Sequence, residues 1–328
     1  MYIKKNYGFW MTFVWSIRPF LWGMVYGLFV CVVCYLFKIH LSIPWNPIGV
    51  IGIAVAFYLG FKNNSSYDRT WEARKIWGSI VNNSRTLGAA ITSFVKGEDA
   101  PQIQKELIYR HIAWLTALRY QLRLTRPWEH VNDRAQGFNA PNFSEVSNDQ
   151  LDKEMARFIS AEEIKALSGK TNKATQIMKN QARRFQELKD QGYYEDFRHM
   201  EFHQLVMNFY ADQGMCERIK NFPFPRQYAS TALWMTVVFS VFVPFGLLDI
   251  FTTIDIRVFL LCPFLSGLVI WVFFLMEKIG DYSENPFEGT YNDVPITSIS
   301  RAIEIDLREM IHDENIPAPT EPVNGFLM

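Results

Sequence analysis

Four long apolar runs without a charged residue interrupt an otherwise polar chain. The hydrocarbon core of a bilayer is about 30 Å thick, which a helix of roughly 20 apolar residues can cross. Backbone inside lipid must satisfy its own hydrogen bonds, so these runs are predicted to be helical. The pattern predicts four transmembrane helices, over residues 19–37, 46–61, 228–248 and 258–276.

The second run is shorter than the other three, but nothing at its end stops a helix. It opens with Asn46, whose side chain can cap a helix, and with Pro47, which suits the first helical position. The run then passes into the polar stretch "KNNSSYDRTWEARKIWG", which contains no proline. We therefore expect one helix to continue out of the membrane into water.

Two stripes share this second helix. Small residues at spacings of three or four form one stripe, which predicts close packing against another element. Large residues at a spacing of four form the other stripe, which can face lipid, a protein core, or a symmetry axis ringed by identical helices. The spacing alone leaves these three alternatives open. The small stripe is Gly49, Gly52, Ala56 and Gly60, and the large stripe is Ile53, Phe57 and Phe61.

The polar middle of the chain carries apolar residues at helical spacing, and we find neither an alternating strand pattern nor an internal repeat. Amphipathic helices are predicted over residues 105–124, 148–167, 174–191 and 298–314, a loop over 125–145, and a flexible tail over 321–328. The sequence therefore predicts an all-α membrane protein. Its predicted regions are 1–66 with membrane helices 1 and 2, the helical region 67–225, membrane helices 3 and 4 over 226–277, and a C-terminal segment over 278–328.

Charge sets the expected orientation. Lys and Arg residues flank the first, second, third and fourth runs at Lys4, Lys5, Arg18, Lys62, Arg69, Arg74, Lys75, Lys220, Arg226 and Lys278. The two short loops on the other side carry only Lys38 and Arg257. Because positive residues stay on the cytoplasmic side, we expect both termini and the polar middle to be cytoplasmic. The predicted location is the plasma (inner) membrane, crossed several times.

Composition excludes some partners and leaves few candidate chemical sites. The net charge is zero and the isoelectric point is about 7.0, so no basic face favours nucleic acid. Cys31 and Cys34 lie inside an apolar run and are interpreted as small membrane-helix residues. His199 and His203 lie one turn apart around Glu201, but this is not a complete metal-ligand motif. No enzyme signature is present, whereas a membrane-anchored scaffold or signalling protein remains an alternative.

Three longer motifs resemble the bestrophin family, in its bacterial branch. They are "GFKNNSSYDRTWEARKIWG", "CERIKNFPFPRQY" and "ENPFEGTYNDVPITSISRAIEIDL", in family order and across nearly the whole chain. The resemblance implies a homopentameric ion channel with four transmembrane helices per subunit and a large helical cytosolic region around a central pore. Its implied partners are other copies of the chain, membrane lipid and monovalent ions, and it implies no enzyme activity.

The resemblance also assigns pore residues. It places the narrow neck of the pore on Ile53, Phe57 and Phe61, so it favours the symmetry axis for the large stripe. It places a cytosolic constriction on Phe197. One helical turn further, Glu201 would form a ring of carboxylates if it faces the axis, and such a ring attracts cations.

The last motif corresponds to the calcium-binding segment of animal bestrophins. It retains Asn285, Pro286 and Phe287, but of the acidic run that follows only Asp293 is clearly kept. Calcium prefers six to eight oxygen ligands, often with several carboxylates. A weak site near Glu284, Glu288 and Asp293 is conceivable, but we expect no bound cofactor and no calcium-activated gating. The resemblance implies that this segment packs between subunits near the neck.

The expected function is passive conduction of monovalent, chloride-type anions through an apolar neck. Phe57 matches the aromatic residue of the animal anion channels at the middle neck position and favours anions. Glu201 and the absence of a basic ring favour the alternative, a monovalent cation channel of the same fold for sodium or potassium.

Overall fold

A computed structural model describes residues 1–39, 41, 43–130, 148–250 and 256–328. Within these residues the regular structure is helical, apart from isolated bridges that pair Phe326 with Tyr2 and with Val323. The helices are α1 (Phe9–Phe37), α2 (Trp45–Phe94), α3 (Ala100–Arg123), α4 (Asn148–Met155), α5 (Ala161–Leu167), α6 (Lys173–Asp190), α7 (Asp196–Asn221), α8 (Arg226–Ile250), α9 (Ile256–Asp281) and α10 (Ile296–Met310). The predicted loop over 125–145 falls mostly outside the described residues.

The chain divides into two compact units. The membrane unit comprises residues 4–69 and 223–284, and the polar unit comprises residues 1–3, 70–222 and 285–328. Helices α1, α2, α8 and α9 are long and apolar enough to cross a membrane, which confirms the four predicted spans. Helix α2 runs without interruption for 50 residues, so the predicted continuation past the apolar run is also confirmed.

In the membrane unit, α1 begins ten residues before the predicted run and continues through Pro19. A proline in a helix leaves the carbonyl four residues earlier without its usual N–H donor. Here that carbonyl belongs to Trp15, and it accepts a 2.8 Å hydrogen bond from the ammonium group of Lys278 on α9. The same ammonium lies 4.2 Å from the ring centre of Trp15. A long-range contact therefore satisfies the carbonyl at the proline, in the part of α1 that precedes the predicted run.

Helix α2 buries one face within the membrane unit. Ile48, Val55 and Leu59 are buried, and Gly52 lies so close to Phe239 of α8 that a Cβ atom would stand 2.8 Å from the ring. Within the described part of this chain Gly60 has no close neighbour, because a Cβ atom there would meet no heavy atom within 4 Å. Aliphatic side chains, rather than the full stripe of small ones, form most of the contact face.

The polar unit has its core around α3, whose side chains are buried almost all round. Trp77 of α2, Trp114 of α3 and Phe209 of α7 are each fully buried there. The buried side chains of α3 include Arg119 and Arg123, whose charges are paired with Glu154 and Asp293. A helix buried on most sides is typical of the centre of a helical domain.

The C-terminal residues correct the predicted flexible tail. Phe326 and Met328 are buried, and the backbone N–H of Leu327 donates to the carbonyl of Met1 at 2.8 Å. The N–H of Ser298 donates to the carbonyl of Met328. These bonds join residues far apart in the chain, so the local sequence of residues 321–328 could not reveal them.

A buried histidine makes the folding stability of the polar unit depend on pH. Nε2 of His111 lies 2.9 Å from the hydroxyl oxygen of Ser84, and its ring packs against Trp114 and Phe209. Complete burial lowers the pKa of His111 from 6.5 to about 3. The folded chain therefore keeps this ring neutral at pH values where the unfolded chain protonates it, and stability falls as the pH drops from 6.5 towards 3.

We predict that His111→Gln flattens this acid dependence, because glutamine retains a polar partner for Ser84 and does not titrate. The wild-type protein should lose up to about 1.4 kcal/mol per pH unit from this group, measured as unfolding free energy between about pH 6 and pH 4. His203→Gln, at an exposed position, is the matched control and should keep the wild-type slope. Equal slopes for wild type and His111→Gln would contradict the prediction.

Candidate functional site

The large stripe of α2 forms a continuous exposed column. The exposed fractions are 73% for Ile53, 69% for Phe57 and 56% for Phe61. The rings of Phe57 and Phe61 meet edge to face, with centres 4.6 Å apart and planes at 80°. The column therefore does not enter a protein core within this chain, and the alternatives of lipid and a symmetry axis remain.

The column is apolar over its whole length. Neither Ile nor Phe can coordinate an ion, and each is bulky enough to narrow a passage. A ring of such side chains can gate a pore by excluding water from it. A charged filter is thus absent from this column, and any selectivity there has to come from the cost of removing water from the ion and from the aromatic quadrupole.

A second exposed aromatic lies on α7 in the polar unit. Phe197 is 86% exposed, and Glu201, one turn further, is exposed too. His199 is partly buried beside Tyr194, whose ring lies parallel to it with 6.3 Å between the centres, whereas His203 is exposed. Among the described residues no group of three or more His, Cys, Asp or Glu is placed to hold a metal ion. His199 and His203 therefore have no third metal ligand within the described part of the chain.

The segment over residues 285–293 is buried in the polar unit. Asp293 accepts a 3.0 Å charged hydrogen bond from Arg123 of α3, and both side chains are only 2% exposed. Its carboxylate also accepts from the Gly289 N–H at 2.5 Å and from the Thr290 hydroxyl at 2.8 Å. Asp293 is therefore neutralised by a guanidinium rather than left open for a cation.

Glu288 is held in a comparable way. Its carboxylate lies 3.3 Å from Nδ1 of His130 and accepts from the His130 N–H and the Asn285 amide, each at 3.2 Å. Burial raises the pKa of Glu288, while the contacts with His130 act in the opposite direction. Protein donors thus contact both oxygens of the Glu288 and Asp293 carboxylates.

In the membrane unit, Glu284 pairs with Arg226 at 3.0 Å, and its backbone carbonyl accepts a 2.8 Å hydrogen bond from Arg69. Burial and the nearby Asp281 raise the pKa of Glu284, and Arg226 opposes that shift. Sequence reasoning identified the acidic residues of this region but missed their basic partners. Arg123 lies 170 positions from Asp293 in the chain, so no local pattern connects them.

The chain was compared with known proteins. It matches the family described as bacterial/fungal bestrophin over residues 15–309. A voltage-dependent anion channel-forming protein of Mesorhizobium japonicum is 27% identical over 297 residues, which cover 90% of this chain and 85% of that protein. YneE of Escherichia coli, which carries the same descriptive name, is 26% identical over 285 residues, or 86% of this chain and 83% of that protein.

The fold also has solved counterparts. A bacterial bestrophin homolog from Klebsiella pneumoniae superimposes with a TM-score of 0.75 at 21% identity, over 91% of this chain and 99% of that one. At this level of identity the likeness establishes the fold alone.

We predict that Arg123→Gln strongly destabilises the polar unit, because it leaves a buried carboxylate on Asp293 without its cation. Removing one partner of a buried pair typically costs about 3–5 kcal/mol. Arg85→Gln is the matched control, because the 2.8 Å pair of Arg85 with Asp306 is largely exposed and such pairs contribute at most about 1 kcal/mol. Thermal unfolding of the full chain in detergent should show a much larger loss for Arg123→Gln, and similar losses would contradict the assignment.

Proposed function

Because the chain belongs to the bacterial and fungal bestrophin family, we propose that it is a membrane channel that conducts monovalent anions passively. The observation that carries this proposal is the exposed Ile53–Phe57–Phe61 column on a helix that continues out of the membrane. The names of the Mesorhizobium and Escherichia relatives, which form anion channels, support the choice of anions.

The proposed channel is a homopentamer in the plasma membrane, with both termini in the cytoplasm. Five copies of the column then surround the axis as the neck. This arrangement gives the exposed phenylalanines a role that lipid contact alone would not require. The clustering of Lys and Arg at the proposed cytoplasmic ends of the runs supports the orientation.

Selectivity in such a neck would follow from hydration. An apolar constriction favours large, weakly hydrated ions, because they lose water at lower cost. The edge of an aromatic ring is partly positive and its face partly negative. Since the planes of Phe57 and Phe61 stand at 80°, the two rings cannot both turn their faces to the axis, so at least one of them presents an edge or a tilted ring. We propose that ring edges at Phe57 contribute to anion preference.

Phe197 is proposed as the constriction at the cytosolic exit, with Glu201 beside it. Five Glu201 carboxylates around that exit would favour cations, so this residue supports the alternative of a cation channel. We further propose that residues 285–293 pack at a subunit contact near the neck, and that conduction needs no bound calcium. The protein donors already bonded to Asp293 and Glu288 support the last point.

The test of the proposed function is a reversal potential. Purified protein in a planar bilayer with a several-fold KCl gradient and a calcium chelator should reverse near the chloride equilibrium potential. Reversal near the potassium potential would establish the cation alternative and make Glu201→Gln the next variant. Absence of any current, with correctly assembled protein, would favour a scaffold or signalling role and contradict the proposal.

We predict that the double variant Phe57→Ala/Phe61→Ala raises the single-channel conductance and weakens discrimination among anions, because it removes two aromatic rings from each subunit at the neck. Leu260→Ala on α9 is the matched control, since Leu260 is 68% exposed, like Phe57, but lies outside the column on α2. The control should keep the wild-type conductance. Unchanged single-channel currents in the double variant would rule out the neck assignment.

A further inference from the structure

A buried ion pair lies immediately beyond the last neck residue. Lys62 follows Phe61 on α2, and its side chain has no exposed surface. Its ammonium group lies 2.8 Å from Oε1 of Glu277 and 3.8 Å from Oδ1 of Asp281, both on α9. The Glu277 side chain is itself only 12% exposed. The pair is therefore a buried, directional link between two membrane helices.

Burying two charges removes them from water, which costs free energy. Ionisable groups in membrane helices are rare, and they usually mark a functional element. A buried pair contributes little net stability compared with apolar side chains of similar size, but it specifies one arrangement of its partners. The remaining contacts of this α2 face are apolar, and apolar contacts tolerate small rotations more readily than a charged hydrogen bond does.

Because Lys62 is next to Phe61, it can control the rotation of α2 about its own axis. Successive residues of an α-helix point about 100° apart, so fixing the direction of Lys62 also fixes that of Phe61. Lys62 lies on the buried face with Val55, Leu59 and Ser66, opposite the exposed column. The link to α9 therefore fixes the direction in which Phe61 points, at the turn of α2 where the column ends.

Packing at the same level leaves little freedom. A Cβ atom added to Gly280 of α9 would overlap Oδ1 of Asn63 and would stand 3.4 Å from Cε of Lys62. Glycine at this position lets α9 approach α2 closely enough for the short ion pair. Steric contact and charge thus act on the same turn of α2.

We propose that Lys62 and Glu277 are positioning residues of the channel: their ion pair holds the rotation of α2 and thereby the width of the neck at Phe61. This inference rests on the proposed function. It assigns to the pair an effect on the current through each open channel, in addition to any effect on stability.

The test is the single-channel conductance of Lys62→Met in the assembled full chain. We expect at least a twofold change or the appearance of several conductance levels. The charge exchange Lys62→Glu/Glu277→Lys should restore much of the single wild-type level, since it keeps opposite charges on the two helices. Should Lys62→Met fail to assemble, Glu277→Gln removes the carboxylate charge at nearly constant shape. Its conductance then tests the inference in the same way.

Lys278→Met is the matched control. Lys278 is the next residue on α9 after Glu277, but its ammonium binds Trp15 of α1 rather than α2. We expect this variant to lower the yield or thermal stability while each channel keeps the wild-type conductance.

Fewer active channels with an unchanged conductance in Lys62→Met or Glu277→Gln would mean a merely structural role and would overturn the inference. The neck variant Phe57→Ala/Phe61→Ala separates this failure from that of the proposed function. If the neck variant changes the conductance and Lys62→Met does not, only the inference fails. If neither variant changes the conductance, the neck assignment fails with it.

Discussion

The burial of a single face of α2 is the constraint on which the rest of the account depends. Val55 and Leu59 pack within the membrane unit, and Lys62 bonds to α9 on the same side. With that face occupied, Phe57 and Phe61 are turned away from their own chain. The helix is continuous for 50 residues, so its backbone hydrogen bonds are satisfied without help from neighbours through the membrane span.

Each unit also contains a buried ion pair. In the membrane unit Lys62 is neutralised by carboxylates, and in the polar unit Asp293 is neutralised by Arg123. Neither pair is a strong source of stability against well-packed apolar side chains. The first pair lies at the end of the exposed column, and the second lies in the buried segment over residues 285–293.

Sequence reasoning succeeded where local composition decides the structure. The four candidate membrane helices follow from the length of the apolar runs, and the unbroken α2 follows from the absence of proline after Pro47; the structure has both features. It failed where distant contacts decide. Lys278 binds the Trp15 carbonyl of α1, Phe326 pairs with Tyr2 at the opposite end of the chain, and the basic partners of Asp293 and Glu288 lie far away in sequence. The roles of Phe57, Phe61 and Phe197 stay predictions, because exposure alone does not distinguish a pore from lipid.

The most direct test of the central claim is the accessibility of position 57 from the ion path. Phe57→Cys would be introduced into a chain whose four native cysteines, all buried and unbridged, are replaced. A charged, membrane-impermeant thiol reagent should then produce a lasting change in the single-channel current. Leu260→Cys, at an equally exposed site on α9 outside the column, should show none. An unchanged current at Phe57→Cys, or modification only at Leu260→Cys, would contradict a neck formed by this side of α2.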